Sequence, residues 1–175
     1  MAAGFEDRAE GAGGARRRPL YVSTACNKID AKGRVSVPAD FRKVLAGREF
    51  EGVYAFPSFT NPVIECGGEE LLEDMKALIA ELDPFDEDRE AFELVVMGET
   101  KKLAFDANGR ILLPDEFVEF AGLAGYAQFV GLGDRFQIWS PEAYAAKVRT
   151  ARDRARANRA VLGAKSRLAA GKAAE

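Results

Sequence analysis

The chain has 175 residues, enough for one large or two small domains, and its 47% apolar and 30% charged content can bury a core and argues against wholesale disorder. It has no histidine and two cysteines, Cys26 and Cys66, which excludes Ser–His and Cys–His nucleophile pairs and His-containing zinc sites and points away from catalysis, metals and cofactors. The net charge of −3 divides into +1 over residues 1–18, −11 over 19–146 and +7 over 147–175, so any contact with a polyanion needs a local basic cluster.

In chain order, residues 1–18 lack the apolar stretch of a secretory signal and read as a disordered N-terminal extension. No apolar run approaches the ~18 residues of a membrane helix, so the expected setting is cytoplasmic, with no membrane partner. Tyr21 to Ile29 mixes aromatic, β-branched and hydroxyl residues and predicts an extended segment. Asp30-Ala31-Lys32-Gly33 is a turn, because Asp bonds forward to its own backbone and Gly takes positive φ. Val35-Ser36-Val37 alternates as a strand. Ala39 to Ala46 is a short helix with Phe41, Val44 and Leu45 on one face and Gly47 as its stop. Val53–Phe56 and Val63–Glu65 follow as strands.

Glu69 to Leu82 carries an amphipathic stripe of Leu71, Leu72, Met75, Leu78, Ile79 and Leu82. Pro84 breaks it, and Asp86 caps a second helix with Phe92, Val95 and Val96 along one side. Strands are expected at Leu103–Phe105, Arg110–Leu113, Gln128–Leu132 and Phe136–Trp139, with a helix over Asp115–Ala121. A last helix opens with Ser140 as cap and Pro141 at its first position and runs to about Leu162.

Self-similarity organises these elements. Residues 29–41, IDAKGRVSVPADF, recur as residues 105–117, FDANGRILLPDEF, at an offset of 76. Phe56 and Ile64 then match Val130 and Ile138 at an offset of 74, a two-residue deletion in a loop. Each unit is too small for a core of its own, which predicts a pseudo-two-fold pair sharing one core. The fold class is α+β, with module 1 at 24–71, a helical connector at 72–102, module 2 at 103–146 and a basic C-terminal helix and tail at 147–175.

The repeated Asp-x-x-Gly-Arg loop has two readings. In one, Asp30 and Gly33, with Asp106 and Gly109, order the turns, and each Asp pairs with the following Arg. In the other, Arg34 and Arg110 project towards DNA, since guanidinium matches both phosphate oxygens and the guanine edge bidentately. Lys28 and Lys32 flank the first loop, and Lys101 and Lys102 precede the second. Lys32 becomes Asn108 in the second unit, so the two loops are not equivalent. The basic tail reads either as a solvated helix or as extra phosphate attraction.

The two loops, the first followed by Val35-Ser36-Val37-Pro38 and the second by Ile111-Leu112-Leu113-Pro114, together with Ala121-Gly122-Leu123, Phe129-Val130-Gly131 and Phe136-Gln137-Ile138-Trp139, resemble the MraZ family from about Tyr21 to Tyr144. The resemblance implies two AbrB-like modules folded together as a swapped-hairpin β-barrel, and ring-shaped homo-oligomers. It also implies a nucleoid-associated repressor of its own division and cell-wall gene cluster, bound to direct repeats in promoter DNA. The family's motif Asp and Arg fall on Asp30 and Arg34 and on Asp106 and Arg110, and its first-loop Lys and Gly on Lys32 and Gly33. Ile29 stands where the family has Leu, and residues 1–18 extend beyond its pattern.

Two other function classes remain open. An enzyme would need a convergent acid, base or metal cluster, and the acidic run Asp83, Asp86, Glu87, Asp88 and Glu90 reads instead as a helix start favoured by the dipole. No small-molecule substrate is expected. An antitoxin-type or purely structural AbrB-like oligomer is the alternative to a DNA-binding regulator.

Overall fold

A computed structural model describes residues 18–162, so residues 1–17 of the extension and 163–175 of the tail lie outside the described residues. The first unit contributes β1 (Thr24–Lys28), β2 (Arg34–Ser36), α1 (Ala39–Leu45), β3 (Gly52–Pro57) and β4 (Ile64–Gly67). The connector forms α2 (Glu69–Ala80) and α3 (Glu87–Glu93). The second unit repeats the order as β5 (Lys101–Ala104), β6 (Arg110–Leu112), α4 (Asp115–Phe120), β7 (Tyr126–Gly131) and β8 (Phe136–Trp139), and α5 (Pro141–Ala157) follows.

All strand pairs are antiparallel, which makes the fold α+β. A six-stranded sheet runs β1-β7-β8-β4-β3-β5, and β2 pairs with β6 in a separate ribbon. Exchanging each first-unit strand for its second-unit counterpart reverses the large sheet onto itself. The registers carry the same symmetry: Val35 faces Ile111 and Ile64 faces Ile138, each opposite the residue that the sequence repeat makes its equivalent. The local pseudo-two-fold axis passes through both pairs.

The units interlock because their strands are exchanged. β1 pairs with β7, β5 with β3, and β2 with β6. The main core accordingly draws Val35, Phe41 and Leu45 from one unit and Ile111, Phe117, Phe129 and Phe136 from the other. Tyr21, Phe41 and Phe136 form a ring cluster with centroids 5.0–5.5 Å apart. Each such burial is worth about 1.5–3 kcal/mol, which neither unit gains alone.

The opposite face of the large sheet carries two helical covers. α2, α3 and the turn after them enclose Phe56, Leu71, Ile79 and Val96, and the start of α5 covers Val63, Val130 and Trp139 with Ala143 and Tyr144. Glu65 is buried here and fully paired. It accepts from Gln137 Nε2 at 2.6 Å and Arg135 Nε at 3.0 Å, while Trp139 Nε1 donates to Gln137 Oε1 at 2.9 Å. A carboxylate so enclosed costs stability unless paired, and its partners come from the other unit, so it ties the central strands together.

Most element ends shift by one or two residues from expectation, and three differences have a local cause or a distinct geometry. β1 starts at Thr24 because Ser23 has φ 76°, which breaks the extended run, and Tyr21 keeps only an isolated bridge to Gly133. α3 widens into a π-helical turn over Leu94–Gly98, which the apolar period does not announce. α5 is interrupted after Ala157 by a turn at 158–159, where Asn158 Nδ2 also donates to the Arg154 carbonyl, and residues 160–162 are helical again. The Asp86 and Ser140 caps form as expected, accepting from Asp88 N and Ala143 N. No helix among the described residues is long and apolar enough to cross a membrane.

Candidate nucleic-acid interface

Each Asp-x-x-Gly-Arg loop is locked by its own aspartate. Asp30 Oδ1 accepts from the backbone N–H of Lys32 and of Arg34, both at 2.9 Å, and Oδ2 accepts from Arg34 Nε at 2.8 Å. Asp106 does the same for Asn108 N and Arg110 N at 2.9 Å and for Arg110 Nε at 2.7 Å. The Arg34 backbone N–H, then its guanidinium and the Lys32 N–H, hold the Asp30 carboxyl down at about 2. Asp106 is lowered likewise, first by the Arg110 backbone N–H.

Gly33 and Gly109 complete the turns at φ 80° and 70°, a region that side chains beyond glycine enter at a cost. The β2–β6 ribbon then sets the two loops together. The Leu113 backbone N–H donates to the Gly33 carbonyl at 3.0 Å, and the Val37 N–H to the Gly109 carbonyl at 3.2 Å. Arg110 Nη1 approaches Asp30 Oδ2 at 3.8 Å, so both arginines converge on one carboxylate. Their side chains are 34% and 27% exposed, each bonded through its guanidinium to the Asp of its own loop.

Of the flanking lysines, Lys28 and Lys32 are exposed and adjoin the first loop, with no ion pair among the described residues. Lys28 sits at the end of β1, two residues before Asp30. Lys101 and Lys102 are not brought to the second loop. They lie five and four residues before Asp106, roughly 16 and 13 Å along an extended chain. Lys101 is paired with Glu116 at 3.1 Å, and Lys102 lies over the rings of Tyr54 and Phe50 at 5.2 and 5.7 Å.

Arg42 was not among the sequence candidates. It donates through Nε to the Val37 carbonyl at 3.2 Å, and its guanidinium lies where a Cβ on Gly109 would stand. A first-unit cation thus rests on the second loop. The available signal was its place one residue after Phe41, where the second unit has Val118 after Phe117. The paired loops therefore bring together Arg34, Arg110 and Arg42 beside Asp30 and Asp106, with exposed Lys28 and Lys32 next to the first loop in sequence, in a chain whose 19–146 segment is acidic.

A family model described as "MraZ protein, putative antitoxin-like" matches residues 96–163. The chain is 41% identical over 145 residues to a protein of Methylocella silvestris named transcriptional regulator MraZ, covering 83% of this chain and 88% of that one. It is also 41% identical over 143 residues to the protein of that name from Rickettsia akari, covering 82% and 96%. A Rickettsia bellii protein of the same name is 45% identical over 116 residues, covering 66% and 77%. Identity at this level over this much of both partners, in a chain with the doubled loop just described, places the protein in the MraZ family.

Proposed function

We propose that the protein is a transcriptional regulator that binds double-stranded DNA with its paired Asp-Gly-Arg loops, acting in the cytoplasm on the nucleoid. The observation that carries this is the convergence of Arg34 and Arg110 on Asp30, with Arg42, Lys28 and Lys32 around them. Two guanidiniums held at fixed spacing suit paired contacts to base edges or phosphates, and the surrounding lysines add sequence-independent attraction. The strand exchange between the units supports reading each as an AbrB-like swapped-hairpin module. Two loops per chain offer few phosphate contacts, so a ring of copies on direct repeats gains effective concentration. In this reading the protein represses its own division and cell-wall gene cluster.

The test is a gel shift with the DNA upstream of the protein's own coding sequence against a scrambled duplex. Selective retention of the upstream DNA, lost in Arg34→Ala, is expected; equal binding of both DNAs, or of neither, overturns the reading. A second reading, an antitoxin-type oligomer, is favoured by the description of the matching family model. It predicts neutralisation of a toxic partner protein and requires no selectivity for upstream DNA.

A further inference from the structure

The two helices that leave the central strands carry opposite charge. α2 follows β4 and α5 follows β8, at equivalent places in the two units. From Glu69 to Glu93 the connector has eleven acids and two bases. Glu70 pairs with Arg48 and Glu93 with Arg89; the other nine acids have no ion pair among the described residues. From 147 to 162 the last helix and its end have six bases and one acid, and the only ion pair among the described residues is Arg156 with Asp153 at 3.9 Å.

Both surfaces also lack a cover. α5 buries no residue completely, and touches the sheet through Ala143 and Tyr144, while Lys147 bonds Asn61. Every residue from Arg149 to Leu162 is exposed, with Arg149, Arg152 and Arg156 on one side at helical spacing. On the connector, Phe85 at the turn between α2 and α3 is 97% exposed, and Leu78 of α2 and Leu94 after α3 are exposed as well. A nearly bare Phe set among acids is the pattern of an anchor at a contact surface.

We infer that α5 of one copy docks on the α2–α3 connector of a second copy, with its arginines on the connector acids and Phe85 as the apolar anchor. The inference rests on the assembly part of the proposed function and adds the surfaces that make it. The charges favour a second copy over DNA as the occupant of α5, because the same chain supplies a complementary surface carrying nine acids with no ion pair among the described residues. Each chain carries both halves of the contact, so the contact is head-to-tail and propagates until a ring closes.

Light scattering on the full chain at low salt tests this, with Arg149→Glu/Arg152→Glu/Arg156→Glu in one variant and Glu81→Lys/Glu87→Lys/Glu90→Lys in another. All six positions are exposed, and circular dichroism checks that folding is kept. Each triple variant should fall several-fold in mass towards the 19.0 kDa chain, the combined six-fold variant should regain assembly, and Phe85→Ser should weaken it without changing charge. Triple variants that keep the wild-type mass overturn the inference and leave the ring reading standing. If the arginine variant keeps its mass but loses duplex affinity, α5 is a phosphate-binding surface and the inference is wrong. A wild-type chain that is monomeric at micromolar concentration overturns the ring reading and this inference together.

Discussion

Arg110 of the second loop lies 3.8 Å from Asp30 of the first, and the reciprocal approach of Arg34 to Asp106 is not made among the described residues. The loops are thus near copies in their internal bonds but unequal in their cross-contact. Asp30 serves two arginines and Asp106 one. Arg42 adds to the inequality, since it rests on Gly109 while the equivalent second-unit residue is Val118.

The aspartates make stability depend on acid. Both carboxyls titrate lower in the folded chain than the ~3.9 of an unfolded Asp, so the folded state favours their charged form. Their contribution is fully present above about pH 4 and is lost as pH falls through about 2 at Asp30. Thermal melts of wild type and Asp30→Asn should differ most near neutral pH, and the gap should narrow steadily below about pH 4. A gap unchanged down to about pH 2 would show that the carboxylate charge does not hold the loop.

The glycines separate turn strain from packing. Gly33→Ala and Gly109→Ala both force a side chain into the left-handed region, at about 1–2 kcal/mol each. At Gly109 the new methyl would also strike the Arg42 guanidinium, whereas at Gly33 the nearest neighbour is at ordinary contact distance, 3.5 Å. Gly109→Ala should therefore lower the urea midpoint at least as much as Gly33→Ala and reduce DNA affinity more. Equal losses in both measurements would mean that Arg42 swings aside freely.

Strand exchange makes the units inseparable. A fragment of residues 19–83 leaves β1, β2 and β3 without β7, β6 and β5 and exposes Phe41 and Tyr21. It should be unfolded or aggregating, because unpaired edges and bare aromatics have no cover. A well-dispersed NMR spectrum from a monomeric fragment would refute a shared core.

Much of this was legible before any coordinates. The 76-residue offset named the equivalent loops, and alternation with Gly and Pro punctuation placed the strands and helices to within a few residues. What stayed hidden depends on three dimensions. Nothing local says that β1 pairs with β7 rather than with its own hairpin neighbour, since pairing is decided by packing over long separations. Lys101 and Lys102 looked loop-adjacent in sequence, but an extended strand carries them away from Asp106 and side chains of other elements engage them. Arg42 was hidden for the converse reason: it sits on a helix eight residues beyond Arg34, and only the ribbon brings it over Gly109.

The arginines themselves give the sharpest test. Arg34 has exposed Lys32 two residues away and Lys28 at the end of β1, so its loop presents the denser positive charge. Arg110 has Asn108 in place of that lysine and is tied to two aspartates. Arg34→Ala should cost more affinity for upstream DNA, about 1–3 kcal/mol if it removes a bidentate base contact, and should relax discrimination against a scrambled duplex. Arg110→Ala should instead lower the melting temperature more, because it removes the link between loops, and should weaken both DNAs alike. Melting, light scattering and titration against both duplexes for each variant separate the two roles. An Arg34→Ala protein that is folded, assembled and binds upstream DNA like wild type would remove Arg34 from the interface and leave its pairing with Asp30 as its whole role.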